Sequence, residues 1–203
     1  FDLFSKGGFD LVLGLGYVPQ DFENFGVQTK GRGVLLEEGV EVLKAAWTGE
    51  WFQYQGRRVR VNPKPAQQPR PPILLGGNSK VAAKRAARIA DGFIPGNAAA
   101  FMHYMDACQE IGREVPMPGN AGPGFLYVSE NPEQAWKTIL PHALHEANCY
   151  AQWEKEGGIV GAYNEPQTAE SIRHNDGYQV LTPEQSIALL NKIGPDGHER
   201  IHP

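Results

Sequence analysis

Four consecutive residues, Gly76-Gly77-Asn78-Ser79, carry the strongest chemical signal in this chain. They follow the apolar run Ile73-Leu74-Leu75 and lead into Ser79–Ala90, an alanine- and arginine-rich stretch that reads as a helix. Glycines at the carboxyl end of a strand let a ligand come close to the backbone. The first amides of the following helix are unpaired, and the helix dipole there favours an anion. Ser79 adds a hydroxyl. Two readings fit: a phosphate site, or an ordinary turn in which Asn78 or Ser79 caps the helix. A second small-residue turn, Gly14-Leu15-Gly16-Tyr17, closes the first apolar segment. It leaves room for a flat ring, or it is a tight turn with Tyr17 filling the core. It is not a dinucleotide-binding fingerprint. The third glycine is absent, and Pro19 is expected to prevent a helix from opening where that motif needs one.

A third group, His142, His145, Glu146 and Cys149, falls on one face of a helix. Imidazole, carboxylate and thiolate are good zinc ligands, but the order matches no zinc-hydrolase motif. The expectation is therefore no metal, with these residues on a helix surface or at a pocket wall. His103 and His174 stand alone and read as structural or exposed. No serine-hydrolase elbow is present. Asp21, Glu23, Asp91 and Glu165 are candidate carboxylates, none in a pairing that suits acid–base work, so no catalytic residue is named.

The elements that must position these residues follow from pattern. Phe9–Leu15 reads as a buried strand. Gly31–Trp47 spaces Leu36, Val40, Leu43 and Trp47 as a helix stopped by Gly49, and Trp51–Val61 as a hairpin turned at Gln55-Gly56. Five prolines between Asn62 and Pro72 make that stretch extended. Then come a strand at Ile73–Leu75, the Ser79 helix, a strand at Gly92–Pro95, a helix capped by Asn97, and a strand at Gly122–Ser129. A helix capped by Asn131 with Pro132 at its first position runs to about Glu156. Gly157–Asp176 reads as a long loop with helical pieces. Thr182, Pro183 and Gln185 open the last helix with a capping box, and Glu199–His202 is a possible further strand. Strands alternating with helices imply a parallel sheet with right-handed crossovers, either a (β/α)₈ barrel or a doubly wound sheet.

Composition sets the outer bounds. The chain has 203 residues, a formal net charge of −4 and two cysteines. There is no basic footprint for nucleic acid and no apolar run long enough for a membrane helix. Two thiols far apart suit a reducing cytoplasm. The chain opens on Phe1 without a signal pattern and stops at Pro203, and both ends are expected to be cuts in a longer protein.

Three stretches together resemble the luciferase-like monooxygenase family. The first runs from Ser5-Lys6-Gly7-Gly8-Phe9 through Leu13-Gly14-Leu15-Gly16-Tyr17 to Asp21-Phe22-Glu23-Asn24-Phe25-Gly26, similar to the family's strand, G-x-G turn and E/D-F-x-x-F-G segment. The second joins Arg32 and Glu37-Glu38 to Trp47-Thr48-Gly49-Glu50, and the third is Pro71-Pro72-Ile73-Leu74-Leu75-Gly76-Gly77-Asn78-Ser79 followed by Ala90-Asp91-Gly92-Phe93. The likeness covers about residues 1–130, with a weaker echo at Leu181–Gln185.

The resemblance implies an incomplete TIM barrel, about the C-terminal five βα units, forming a single domain over residues 1–203. It implies a flavin-dependent oxidoreductase or monooxygenase acting on a small organic substrate with FMN. A deazaflavin coenzyme in a hydride-transfer enzyme is the close alternative, and a non-catalytic flavin-binding protein or inactive fragment the more distant one. It maps the cofactor phosphate to Gly76, Gly77, Asn78 and Ser79, and the flavin ring to Gly14, Gly16 and Tyr17. A flavin reductase or other supply of reduced cofactor would be the partner. The family's first three strands, with a histidine often assigned to chemistry, have no counterpart here. An open sheet of this kind is expected to pair into a homo-oligomer. Gly157–Gly177 is read as a possible cover for the pocket.

Overall fold

The computed structural model describes residues 1–115, 124–161, 163, 165–174 and 177–193. The chain forms two compact units, 1–116 and 117–203.

In the first unit, β1 (Leu11–Leu13), β4 (Ile73–Gly77) and β5 (Gly92–Pro95) form a parallel sheet in the order β1-β4-β5. The register aligns Leu13 with Leu75 and Leu75 with Phe93. Residues in such a row share a face. Leu13, Ile73, Leu75 and Phe93 turn into a core with Val40 of helix α2 (Arg32–Trp47), Ala83, Ala86 and Ala87 of α3 (Lys80–Ile89), and Tyr104, Ala107 and Cys108 of α4 (Ala98–Glu110). Alanines every three or four residues keep α3 close to the sheet and to α4. The opposite sheet face carries Val12, Gly14, Leu74, Gly76 and Ile94, with Val12 51% and Ile94 45% exposed. A hairpin of β2 (Phe52–Tyr54) and β3 (Arg57–Val59) turns at Gln55-Gly56, with Gly56 at φ +73°.

The amino edge of this sheet is locked by charge. Arg70 forks onto both Asp91 oxygens at 2.5 and 2.9 Å, and the Ile73 amide donates to Asp91 Oδ2 at 2.7 Å. Arg113 donates to the carbonyls of Ala87, Ala90 and Asp91. Buried Asp2 accepts from the Ala66 and Gln67 amides and from Gln67 Nε2, tying the proline-rich stretch to the start of the chain. Glu37 joins α2 to α3 through Arg85 (2.9 Å) and Arg88 (2.6 Å).

In the second unit, β6 (Phe125–Val128) pairs in parallel with β7 (Tyr178–Leu181). The 26-residue helix α5 (Pro132–Gly157) supplies Trp136, Ala143 and Ala147 to a core shared with Ile172, Tyr178 and Val180. A short α6 (Ala169–Arg173) carries a Thr168–Ser171 capping box, and α7 (Pro183–Ile193) follows β7. Thr182 and Gln185 exchange the two bonds of the expected capping box, at 2.9 and 3.2 Å.

The sequence expectations need five corrections. A helix, α1 (Pro19–Asn24), does open at Pro19, because the first helical position needs no amide donor. The first strand is Leu11–Leu13, shorter than Phe9–Leu15. Gly76 and Gly77 lie within β4 rather than after it, since β5 continues the ladder to Pro95. β7 lies between the loop expected at Gly157–Asp176 and the helix expected from Thr182, where the sequence pattern assigns no element. Tyr178–Leu181 is a strand because β6 offers a full parallel partner. The strand expected at Gly122–Ser129 is observed from Phe125, with residues 122 and 123 outside the described residues. The possible strand at Glu199–His202 also lies outside them. Parallel pairing in both units bears out the α/β class with crossovers.

Candidate functional site

The carboxyl edge of the three-stranded sheet gathers the residues that the sequence singled out. β4 ends in Gly76-Gly77, then Asn78 leads to Ser79, the N-cap of α3. Its hydroxyl accepts from the Ala82 amide at 3.2 Å, and its carbonyl from Ala83 at 3.0 Å. The amides of Lys80 and Val81 precede the first intrahelical donor, so the helix geometry leaves them for an outside acceptor. β5 ends one residue before Gly96, and Asn97 caps α4 by accepting from Ala100 at 2.8 Å. The Gly96 amide donates to the Gly77 carbonyl at 3.2 Å, and Asn97 Nδ2 to the Asn78 carbonyl at 3.3 Å. Two capped helix N-termini are thus fastened side by side at one sheet edge, where both dipoles favour negative charge. Sequence reasoning names Asn97 as a helix cap but places neither it nor Gly96 at the site. The signal was present in Pro95-Gly96-Asn97, which repeats the glycine-then-cap order of the preceding turn.

The glycines differ in what they serve. A Cβ on Gly76 would meet only the Leu13 and Ile94 carbonyl oxygens, at 3.9 Å, and one on Gly14 nothing within 4 Å. Both therefore face open space on the uncovered side of the sheet. A Cβ on Gly77 would strike the Ala82 methyl at 2.5 Å, so Gly77 lets α3 pack against β4. A Cβ on Gly96 would collide with the Asn78 side chain, which lies over that turn. Gly16 has φ +70°, a conformation that favours glycine, and the Phe22 ring lies 3.2 Å from its Cβ position. Tyr17 beside it is half-buried.

Helix α1 stands next to this turn. Arg32 Nη1 donates to the Gly16 carbonyl at 2.8 Å, and its guanidinium lies 5.4 Å from the Phe22 ring centroid. Gly16, Asp21, Phe22, Phe25 and Val27 line a cavity of about 210 Å³.

The other candidates scatter. Asp91 sits at the amino edge, away from these turns, bound to Arg70. Burial works to raise its pKa, but the Arg70 fork and the Ile73 amide outweigh burial and hold the carboxyl below its usual range. Glu23 is exposed and accepts from Gln20 at 3.4 Å, and Glu165 is exposed. His103 is half-buried on α4. His174, exposed at the end of α6, donates through Nδ1 to the Glu170 carbonyl at 2.8 Å. Along α5, His142 and His145 are exposed, Cys149 Sγ lies 3.7 Å from His145 Nε2, and Glu146 accepts from the Tyr178 hydroxyl at 3.4 Å. Among the described residues, no three His, Cys, Asp or Glu side chains converge as metal ligands, and no helix is long and apolar enough to cross a membrane.

The family model for luciferase-like monooxygenases matches residues 1–189. The chain belongs to the luciferase-like monooxygenase family. Within that family it is 28% identical, over 96% of its length, to an FMNH₂-dependent dimethylsulfone monooxygenase of Pseudomonas putida, and it spans 61% of the length of that relative. The fold is shared with the oxygenating constituent of 3,6-diketocamphane monooxygenase from Pseudomonas putida, solved with FMN (TM-score 0.56, 16% identity, 78% of this chain and 54% of that one). It is also shared with an F420-dependent secondary alcohol dehydrogenase (TM-score 0.52, 13% identity, 93% of this chain and 69% of that one).

Proposed function

We propose that this luciferase-like chain is the cofactor-holding part of a flavin-dependent oxidoreductase that acts on a small organic substrate. The observation that carries the reading is the pair of capped helix N-termini, at Ser79 and Asn97, fastened together at a glycine-lined sheet edge. A phosphate is the anion that such an edge suits. Its four oxygens can accept several backbone amides at once, and no side chain stands in the way at Gly76. Gly76, Gly77, Asn78 and Ser79 would hold the phosphate, with Gly96 and Asn97 completing the cradle. Gly14, Gly16 and Tyr17 would border the ring. The flavin would supply the redox chemistry, which includes hydride transfer and, with oxygen, substrate oxygenation.

FMN is the first choice, because the dimethylsulfone monooxygenase that matches nearly the whole chain is named as FMNH₂-dependent. By the same analogy a reductase would deliver reduced flavin, and the substrate would be a small neutral molecule. The deazaflavin reading keeps a specific support in the shared fold of the F420-dependent dehydrogenase. The architecture we propose is an incomplete TIM barrel in one domain, its uncovered sheet face turned to the barrel interior and its open strand edges closed in a homo-oligomer.

FMN added to the chain should lose fluorescence with a saturable profile, and inorganic phosphate should compete. Under anaerobic reductant the absorbance near 450 nm should bleach and return in air, whereas F420 should bind without that return. Absence of FMN and F420 binding, with the fold intact by circular dichroism, would refute the reading.

A further inference from the structure

Two metal-ligating side chains meet on α5, away from the glycine edge. His145 Nε2 and Cys149 Sγ lie 3.7 Å apart, four residues from each other on the helix. Ala143, Ala147 and Ala151 are buried on the opposite side of α5. They fix the roll of the helix and so turn the pair outward. From residue 138 to residue 154, nearly five turns of this helix carry no lysine or arginine to repel a cation. The order of His142, His145, Glu146 and Cys149 fits no catalytic zinc motif, but a two-ligand clamp needs only two donors one helical turn apart. We propose that His145 and Cys149 together bind a soft divalent cation of the Zn²⁺ class, with water in its remaining coordination positions.

The geometry is close to what such an ion requires. At the tetrahedral angle, a zinc–sulfur bond of about 2.3 Å and a zinc–nitrogen bond of about 2.0 Å hold the two donor atoms about 3.5 Å apart. The side chains already stand at 3.7 Å, so an ion can enter between them with little rearrangement. Imidazole and thiolate are also the donors that zinc-like ions prefer over carboxylate and water. As the sulfur–metal bond forms, the thiol proton passes to solvent, and neither the metal nor the sulfur changes oxidation state. His142 is seven residues from Cys149, about 10.5 Å along the axis, too far to share one ion with it. Glu146 is engaged by the Tyr178 hydroxyl. The clamp therefore has two protein ligands, as the lack of any three-residue cluster among the described residues requires. Two ligands supply about half the binding free energy of a four-ligand structural zinc site, which places the dissociation constant roughly between 1 and 200 μM.

Co²⁺ is a suitable probe, because bonding to a thiolate gives it a near-ultraviolet charge-transfer band that bonding to histidine or carboxylate does not. The other cysteine, Cys108, is 0% exposed and out of reach of an ion in the folded chain. Titration of the reduced chain with Co²⁺ should produce the band with a saturable profile, and Zn²⁺ should displace it. Cys149→Ser should abolish the band. His145→Ala should weaken Co²⁺ binding at least about tenfold, the loss of one of two ligands. His142→Ala should change it less than about twofold, since that residue is out of range. Circular dichroism of each variant separates lost ligation from lost folding. No band at about 1 mM Co²⁺, well above the expected dissociation constant, would overturn the proposal. So would a band that survives in folded Cys149→Ser, or unchanged affinity in His145→Ala, which would leave an isolated thiol rather than a clamp.

Discussion

The two units are built from the same local grammar and differ in one feature. In each, a parallel strand runs into a polar N-cap and then a helix: Ser79 after β4, Asn97 after β5, Asn131 after β6, Thr182 after β7. In the first unit the strand end before the cap is glycine, at Gly76-Gly77 and Gly96. In the second it is Val128-Ser129-Glu130 and Leu181. Capping satisfies the helix in all four cases. Where the Cβ is missing and no neighbour fills its place, as at Gly76, the strand end leaves room for a ligand beside the amides that capping leaves over. A helix N-terminus is therefore a general feature of the fold, and the glycine before it is what makes the first unit's edge a candidate site.

Filling the glycine edge should have the largest effect. Gly76 is not in the left-handed region, and its Cβ position meets nothing closer than 3.9 Å. Gly76→Val should therefore fold, while placing its methyl groups where the cofactor is proposed to lie. FMN affinity should fall at least about a hundredfold, the cost of losing two or more charge-assisted hydrogen bonds. Val128→Ala, the matching position in the second unit, should leave FMN affinity unchanged. Equal responses in fluorescence titrations would erase the distinction between the units.

The caps sharpen the same contrast. Ser79→Ala and Asn131→Ala each remove one side-chain bond to a first-turn amide, at 3.2 and 3.0 Å. Each should cost about 1 kcal/mol of stability by denaturant titration. FMN affinity should drop severalfold for Ser79→Ala alone, because that hydroxyl also faces the proposed phosphate. A loss of affinity in both variants would mean that binding merely follows stability.

Acid should separate the units next. Asp2, Glu37 and Asp91 of the first unit are all held below the ordinary carboxyl range. Burial opposes the shift at Asp2 and Asp91, where hydrogen bonds and charge win. Arg88 and then Arg85 drive it at Glu37. A carboxyl whose folded value is depressed adds stability above its unfolded value, near 4, and loses it as pH falls through the folded value. Among the described residues of the second unit, only Glu184 is lowered, by hydrogen bonds at the start of α7. Residues 1–116 should therefore lose hydrogen-exchange protection more steeply below about pH 4. Asp91→Asn should remove part of that steepness and cost about 1 kcal/mol at neutral pH, since the pair is partly exposed.

What could be read from sequence was what is chemically local. Glycine, proline, asparagine, serine and threonine at turn positions mark the caps at Asn97, Asn131 and Thr182 to the residue and narrow that of α3 to Asn78 or Ser79, because a cap bonds only two or three positions away. Long-range features were not readable. Nothing in Tyr178-Gln179-Val180-Leu181 marks a strand until β6 lies beside it. The Arg32 bond to Gly16 joins residues sixteen apart across a helix start, and the Asp91 lock joins three segments. Pro19 was misjudged because its effect depends on position: it breaks a helix interior and suits a helix start. The cavity under α1 followed from that helix and was missed with it.

The smallest effect belongs to the second unit's own polar core. Tyr178 is buried, and its hydroxyl lies 3.0 Å from that of Tyr163 and donates to Glu146 at 3.4 Å. Burial foremost, with Tyr163 and Glu146 adding to it, pushes the Tyr178 phenol well above its ordinary value. In an alkaline scan at 295 nm, Tyr178→Phe should delete one late-titrating phenol and leave the others in place. The substitution keeps the ring against Phe125 and removes only the hydroxyl, so stability should fall by about 1 kcal/mol. FMN affinity should not move. Tyr178 opens β7 and therefore lies at the amino end of its strand, whereas every proposed cofactor contact lies at a carboxyl end. A change in FMN affinity in this variant would mean that the second unit reaches the cofactor by a route other than its strand ends, and the contrast drawn from the glycines would have to be abandoned.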